Sequence, residues 1–227
     1  MRSTVFVINP NSTEAVTAGI DAAMAPLRMA GGPDIRCLTL AEGPPGIQTQ
    51  RDVESVIPPL ARLAQSLEEE AGAFVIACFS DPGLHLVREA VRRPVLGISE
   101  CGVLTALTLG HTFGVIAILQ GSIPRHLRTW GAMGVLDRFV GEMAIDIPVT
   151  ELIDAERTLA RMIEVGRRLR DERQAQVIVM GCAGMAAYRA PLQRALGIPV
   201  VEPSQAAAVM ALGRVRLDWE MVAGSAT

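Results

Sequence analysis

The chain reads as an α/β protein made of two pseudo-symmetric, Rossmann-like halves with parallel sheets and a cleft between them. Three observations predict this. Short runs rich in Val, Ile and Phe recur along the 227 residues, helical segments lie between them, and one stretch is repeated at an offset of 105 residues. Unbroken apolar runs of strand length are what parallel strands buried on both faces require.

In chain order, the strand candidates are Val5–Ile8, Phe74–Ala77, Val95–Ile98, Phe113–Ile118, Val177–Met180 and Val200–Val201, with a further strand around Cys37, between Arg36 and Leu38. Helices are expected over Thr13–Met24 with Ser12 as N-cap, over Asp52–Gly72 and over Ala155–Arg170, where the charges between Arg157 and Arg173 form a solvated face. Asp81-Pro82 is suited to start another helix. This alternation specifies an α/β fold with right-handed crossovers.

The repeat sharpens that reading. Residues 94–107, PVLGISECGVLTAL, align without gaps on residues 199–212, PVVEPSQAAAVMAL, with five of fourteen positions identical. Any two α/β segments resemble each other to some extent. The same offset, however, brings Phe74–Cys78 beside Val179–Cys182 within one residue, and the Val5–Asn9 strand near Gly114–Ile118. Two halves are therefore expected, residues 1–97 plus 200–227 and residues 98–199, forming one compact unit. Related by a pseudo-twofold axis, their strand ends face each other, and ligands of open α/β sheets bind at that carboxyl edge.

Composition narrows the chemistry. All 21 basic residues are arginine, so no Schiff-base, pyridoxal-phosphate or P-loop lysine is available. The net charge of −3 implies no nucleic-acid partner. The apolar runs at the N-terminus and at 94–110 are too short or too interrupted for a signal peptide or a membrane span, and a cytoplasmic location follows by default. The four cysteines are then expected as thiols, and with no CxxC pair and no histidine pair at ligand spacing no metal site is expected.

The candidate catalytic residues are Cys78, in Ala77-Cys-Phe-Ser-Asp-Pro-Gly-Leu84, and Cys182, in Gly181-Cys-Ala-Gly-Met185. A single cysteine at a strand end is more often a buried small hydrophobe than a reactive thiol. Two at equivalent points, each before a small-residue helix start, reverse that balance. Unpaired backbone N–H groups and the positive helix end are expected to lower each thiol from about 8.5 toward neutrality. Stereoinversion at carbon needs one group to remove a proton and a second, on the opposite face, to return one; a thiolate and a thiol can exchange those roles. Backbone N–H donors can stabilise the enolate-like intermediate without metal or cofactor.

Asn9-Pro-Asn-Ser12 offers amides to a ligand, or is a turn with a helix cap, or both. Gly43-Pro-Pro-Gly46 reads as a loop over the pocket. Cys37 reads as structural, Cys101 as helix packing or a secondary pocket residue, and Trp130 and Trp219 as packing or interface residues. Of His85, His111 and His126, only His85 is near a cysteine motif in sequence.

Ile8-Asn-Pro-Asn-Ser12, the two cysteine motifs and Glu202-Pro-Ser-Gln-Ala206 resemble those of hydantoin racemases and the related allantoin racemases, within the aspartate/glutamate racemase superfamily. The resemblance runs from residue 5 to about 212. It implies a two-half fold, no cofactor, an oligomer acting on a small molecule, Cys78 and Cys182 as the acid/base pair, and Asn9, Asn11, Phe79, Ser80, Ala183 and Gly184 lining the substrate site. Two departures stand out: Ser80, where the family often has glycine, and Ile116-Ala-Ile-Leu-Gln120, where the third strand usually ends in threonines. Loss of those hydroxyls argues against an amino-acid substrate, whose charges need partners, and for a cyclic ureide with a hydrophobic 5-substituent. The alternatives are allantoin racemisation, a decarboxylase or cis–trans isomerase on the same scaffold, and a small-molecule sensor.

Overall fold

The computed structural model describes residues 4–152 and 154–219. The first half runs β1 (Thr4–Asn9), α1 (Glu14–Met24), β2 (Asp34–Thr39), α2 (Gln50–Ser55), α3 (Ile57–Leu67), β3 (Ala71–Ile76), α4 (Leu84–Ala90), β4 (Val95–Gly97) and α5 (Ile98–Leu109). The second repeats the plan: β5 (Phe113–Ala117), α6 (Ile123–Ala132), β6 (Phe139–Ala144), α7 (Ala155–Arg173), β7 (Val177–Met180), α8 (Arg189–Leu196), β8 (Val200–Val201) and α9 (Pro203–Arg216). The sheets are ordered β2-β1-β3-β4 and β6-β5-β7-β8, every pairing parallel. Identical strand orders make the two halves counterparts. Val200 and Val201, which the sequence boundary assigns to the first half, pair with Ile178 and Val179 in the second sheet.

Alternate residues of the central strands face opposite cores, because side chains on a strand alternate. Val5, Val7 and Val75 of the first sheet and Val115, Val177 and Val179 of the second join one shared core between the sheets. Phe6, Ile8, Phe74 and Ile76 face an outer core under α3 and α4, and Ile116, Ile178 and Met180 face another under α7 and α8. Burial on both sides is why these strands read as unbroken apolar runs.

The helices after the last strands hold the halves together. Helices α5 and α9 pack on each other within the shared core, α5 against β7 and α9 against β3. Gly102 of α5 makes the approach possible: a Cβ there would stand 3.0 Å from Pro203 and 3.3 Å from Val179.

Four local expectations are corrected. Asp52–Gly72 is not one helix: the chain breaks at Val56, because Pro58 and Pro59 lack the N–H groups to continue α2 but fit the first turn of α3, and Ala71 already begins β3. Ser12 does not cap α1; the N-cap is Thr13, whose N–H donates to Asn11 Oδ1 at 2.9 Å. Helix α7 runs to Arg173, three residues past its expected end, and stops on Gln174 in the left-handed conformation. Asp81-Pro82 does not open α4, which starts at Leu84 after Gly83.

Asp81 instead serves a distant helix. Its carboxylate accepts from Ser99 N and Glu100 N, both at 2.9 Å, in the first turn of α5. A Cβ at Gly97, the N-cap position of α5, would lie 2.3 Å from the Asp81 carboxyl carbon. In the second half the matching position is Glu202, which caps α9 itself by accepting from Ser204 N and Gln205 N. Each crossing helix thus receives one buried carboxylate, from different places in the two halves.

Burial pushes Asp81 up to about 7 against the pull of the two N–H donors. With the folded value raised above the usual carboxylate value near 4, the stability this group contributes is full at acid pH and is lost as pH rises toward 7. Urea titrations of wild type and Asp81→Asn at pH 5 and pH 8 are expected to show a steeper fall with pH in the wild type. Equal pH dependence in both proteins contradicts this.

Candidate active site

The two cysteines hold matched positions. Cys78 stands two residues beyond the end of β3 and Cys182 two residues beyond the end of β7. Both are free thiols, partly exposed, and line one pocket between the halves. The Cys78 turn closes where Asp81 N donates to the Cys78 carbonyl at 2.9 Å, with Asp81 in the left-handed conformation that Asp tolerates better than most residues. The Cys182 turn depends on two glycines. A Cβ on Gly181 would lie 2.6 Å from the Ile116 carbonyl oxygen, and Gly184 N reaches back to donate to Cys182 Sγ at 3.4 Å.

Asn11, Phe79, Ser80, Ala183 and Gly184 line the same pocket. Asn9 stands behind it: its side chain donates to Asn11 Oδ1 and Thr17 Oγ1, both at 3.0 Å, and accepts from Asn11 N at 3.2 Å. Asn9 therefore fixes the turn that presents Asn11. The Gly43–Gly46 loop packs on that turn, with Ser12 N donating to Pro44 O at 2.9 Å and Thr13 Oγ1 to Pro45 O at 2.7 Å, and delivers Ile47 to the pocket. The remaining lining is mixed, apolar at Val16, Ile118 and Val149 and polar at Ser122, Arg125 and His126.

Arg125 and His126, both buried, were not identified in the sequence as site residues. Arg125 donates to Ser80 Oγ at 2.8 Å, to Gln48 O at 3.1 Å and to Gly121 O at 3.0 Å, tying α6 to the first half. His126 presents Nδ1 to Glu142 Oε1 at 2.7 Å and Nε2 to Ser80 Oγ at 3.5 Å, and Phe79 meets its ring edge-on. His126, not His85, is the histidine at the cysteines; His85 is exposed on α4. The repeat held the signal: α1 and α6 each follow the first strand of their half, and Val16 and Arg125 are each the third residue of those helices.

Cys101 lies in the shared core and Cys37 in β2, and neither lines the pocket. Trp130 is a packing residue, fully buried, with its indole N–H donating to Ser99 Oγ at 3.1 Å. Trp219 is largely exposed. Among the described residues, no three His, Cys, Asp or Glu side chains gather so as to hold a metal ion, and no helix is long and apolar enough to cross a membrane.

The expected lowering of the thiols is reversed. Burial pushes Cys78 up to about 11, against the pull of the Ser80 backbone N–H and Arg125, and pushes Cys182 up to about 12, against the Gly184 N–H alone. Helix α4 begins six residues past Cys78, so its positive end does not reach the sulfur, and a helix-terminus effect fades within a turn. A buried thiolate is in turn a stronger base, suited to a weakly acidic carbon.

The fold and the paired-cysteine cleft place the protein among the two-half α/β racemases. The structure of allantoin racemase from Klebsiella pneumoniae matches with a TM-score of 0.89 at 27% identity, covering 98% of this chain and 91% of that one. The chain belongs to the Asp/Glu/Hydantoin racemase family, whose model matches residues 5–211. It is 35% identical to a hydantoin racemase of Rhizobium meliloti over 213 residues, 91% of this chain and 86% of that protein. It is 36% identical to one of Pseudomonas sp. strain NS671 over 202 residues, 87% and 80% of the two chains.

Gly181→Ala forces a methyl group onto a backbone oxygen that is held in the sheet. We expect a loss of about 1–3 kcal/mol of stability, read by urea titration, with displacement of the Cys182 turn. Wild-type stability in Gly181→Ala contradicts the close approach.

Proposed function

We propose that the protein racemises 5-substituted hydantoins or closely similar cyclic ureides by two-base proton transfer between Cys78 and Cys182. The observation that carries this reading is the matched placement of the two thiols, one from each half, on one pocket. With a planar ring between them, one sulfur as thiolate takes the ring proton. The other, as thiol, returns a proton to the opposite face. The enolate-like anion formed in between needs donors, and Ser80 and the buried Arg125 supply a polar corner for it. The apolar wall of Val16, Ile47, Ile118 and Val149 suits a hydrophobic 5-substituent.

A second reading, allantoin racemisation, draws on the same polar corner, which has hydrogen-bonding groups for a ureido substituent. Polarimetry on single enantiomers of 5-benzylhydantoin and allantoin separates the two. Benzylhydantoin is expected to lose rotation faster; faster loss with allantoin selects the second reading. Cys78→Ala and Cys182→Ala are each expected to lower the rate by about 10²–10⁴-fold, the usual contribution of a positioned acid or base. Near-wild-type turnover in either variant would falsify the two-base assignment.

A further inference from the structure

The pocket is symmetric in its thiols but not in its charge. The first helix of each half bears on the cysteine loop of the other: α1 packs against the Ala183–Tyr188 turn that follows Cys182, and α6 is tied to Ser80, two residues past Cys78. At the matched third residue of these helices the first half has Val16 and the second has Arg125, and both line the pocket. The cation is therefore present on one side only. Arg125 is buried, its hydrogen bonds go to a hydroxyl and two carbonyls, and among the described residues it makes no ion pair. No carboxylate is in direct contact with it, and it lines the pocket on the Cys78 side through Ser80.

We propose that Arg125 is a positioning residue that makes the cysteine pair electrically unequal, so that the first proton to leave the pair leaves Cys78 while Cys182 keeps its own. This rests on the two-cysteine reading above and adds which thiol is the resting base and why.

The other charged and titratable groups facing the pair are few. Asp81, in the Cys78 loop, opposes the ionisation of Cys78. Glu202, at the head of α9, acts on Cys182 in the same sense, with no cation to offset it. Asp52 on α2 and Glu142 on β6 act on Arg125 as negative charges and Arg128 on α6 as a positive one, while His126 lines the same pocket and faces Ser80. Ser80 is the link that brings the guanidinium to this loop, and a glycine at that position would have no hydroxyl to hold it.

The test reads the thiols and not turnover. The full chain is pulse-alkylated with iodoacetamide from pH 7 to pH 10, and modification of the Cys78 and Cys182 peptides is followed by mass spectrometry. In the wild type, Cys78 is expected to react at lower pH than Cys182. In Arg125→Gln its rate at pH 8 is expected to fall about tenfold for each unit by which its ionisation moves up, while Cys182 is unchanged and Arg125→Lys keeps the wild-type order. An unchanged Cys78 rate in Arg125→Gln, or Cys182 reacting first in the wild type, overturns the proposal. The wild-type order decides alone if Arg125→Gln does not fold. Racemisation surviving in both alanine variants sinks the two-base reading and leaves the alkylation order untouched, so the two failures are distinct.

Discussion

Two thiols carried on different sheets can serve one carbon only if the sheets are held in fixed relation, and the crossing helices α5 and α9 impose that constraint. Each leaves its own sheet and packs in the shared core beside Val7, Val75, Val115 and Val179. Opening the cleft would expose these side chains, at about 1.5–3 kcal/mol for each large aliphatic group. The inner core is thus the beam on which the site is aligned, and Gly102 sets how closely its two helices approach.

The same helices explain the buried acids. A helix start inside a core leaves N–H donors with no water to satisfy them, so an acceptor must come from the protein. Glu202 does this locally for α9. Asp81 does it from the Cys78 loop for α5, and so couples the turn that carries one thiol to the helix that joins the halves. The cysteine loop is fastened from two directions, Asp81 holding α5 and Ser80 holding Arg125 and His126.

Much of this was legible in the sequence. Strands buried on both faces announce themselves, and the offset of 105 residues located both cysteines. What was not legible depends on contacts between halves. Strand β6 escaped because it is an edge strand, mostly half-buried and interrupted by Gly141 and Glu142. The role of Asp81 escaped because an Asp-Pro pair looks like a local helix start, whereas its partners are eighteen and nineteen residues away. Arg125 and His126 escaped because they adjoin no cysteine in sequence; only α6 folding across the cleft brings them to Ser80. The direction of the thiol shift was not legible because N–H donors can be counted in a motif, whereas the desolvation of the sulfur depends on the walls that both halves bring to the pocket.

The central claim, a proton removed on one face and a different one delivered on the other, has a direct isotopic signature. A single hydantoin enantiomer is incubated in deuterium oxide, and label is followed separately in residual substrate and in product at early turnover. Two bases predict product carrying deuterium at the stereocentre while the remaining substrate stays unlabelled. Substrate and product acquiring label together would mean that one group serves both faces, and would contradict the account.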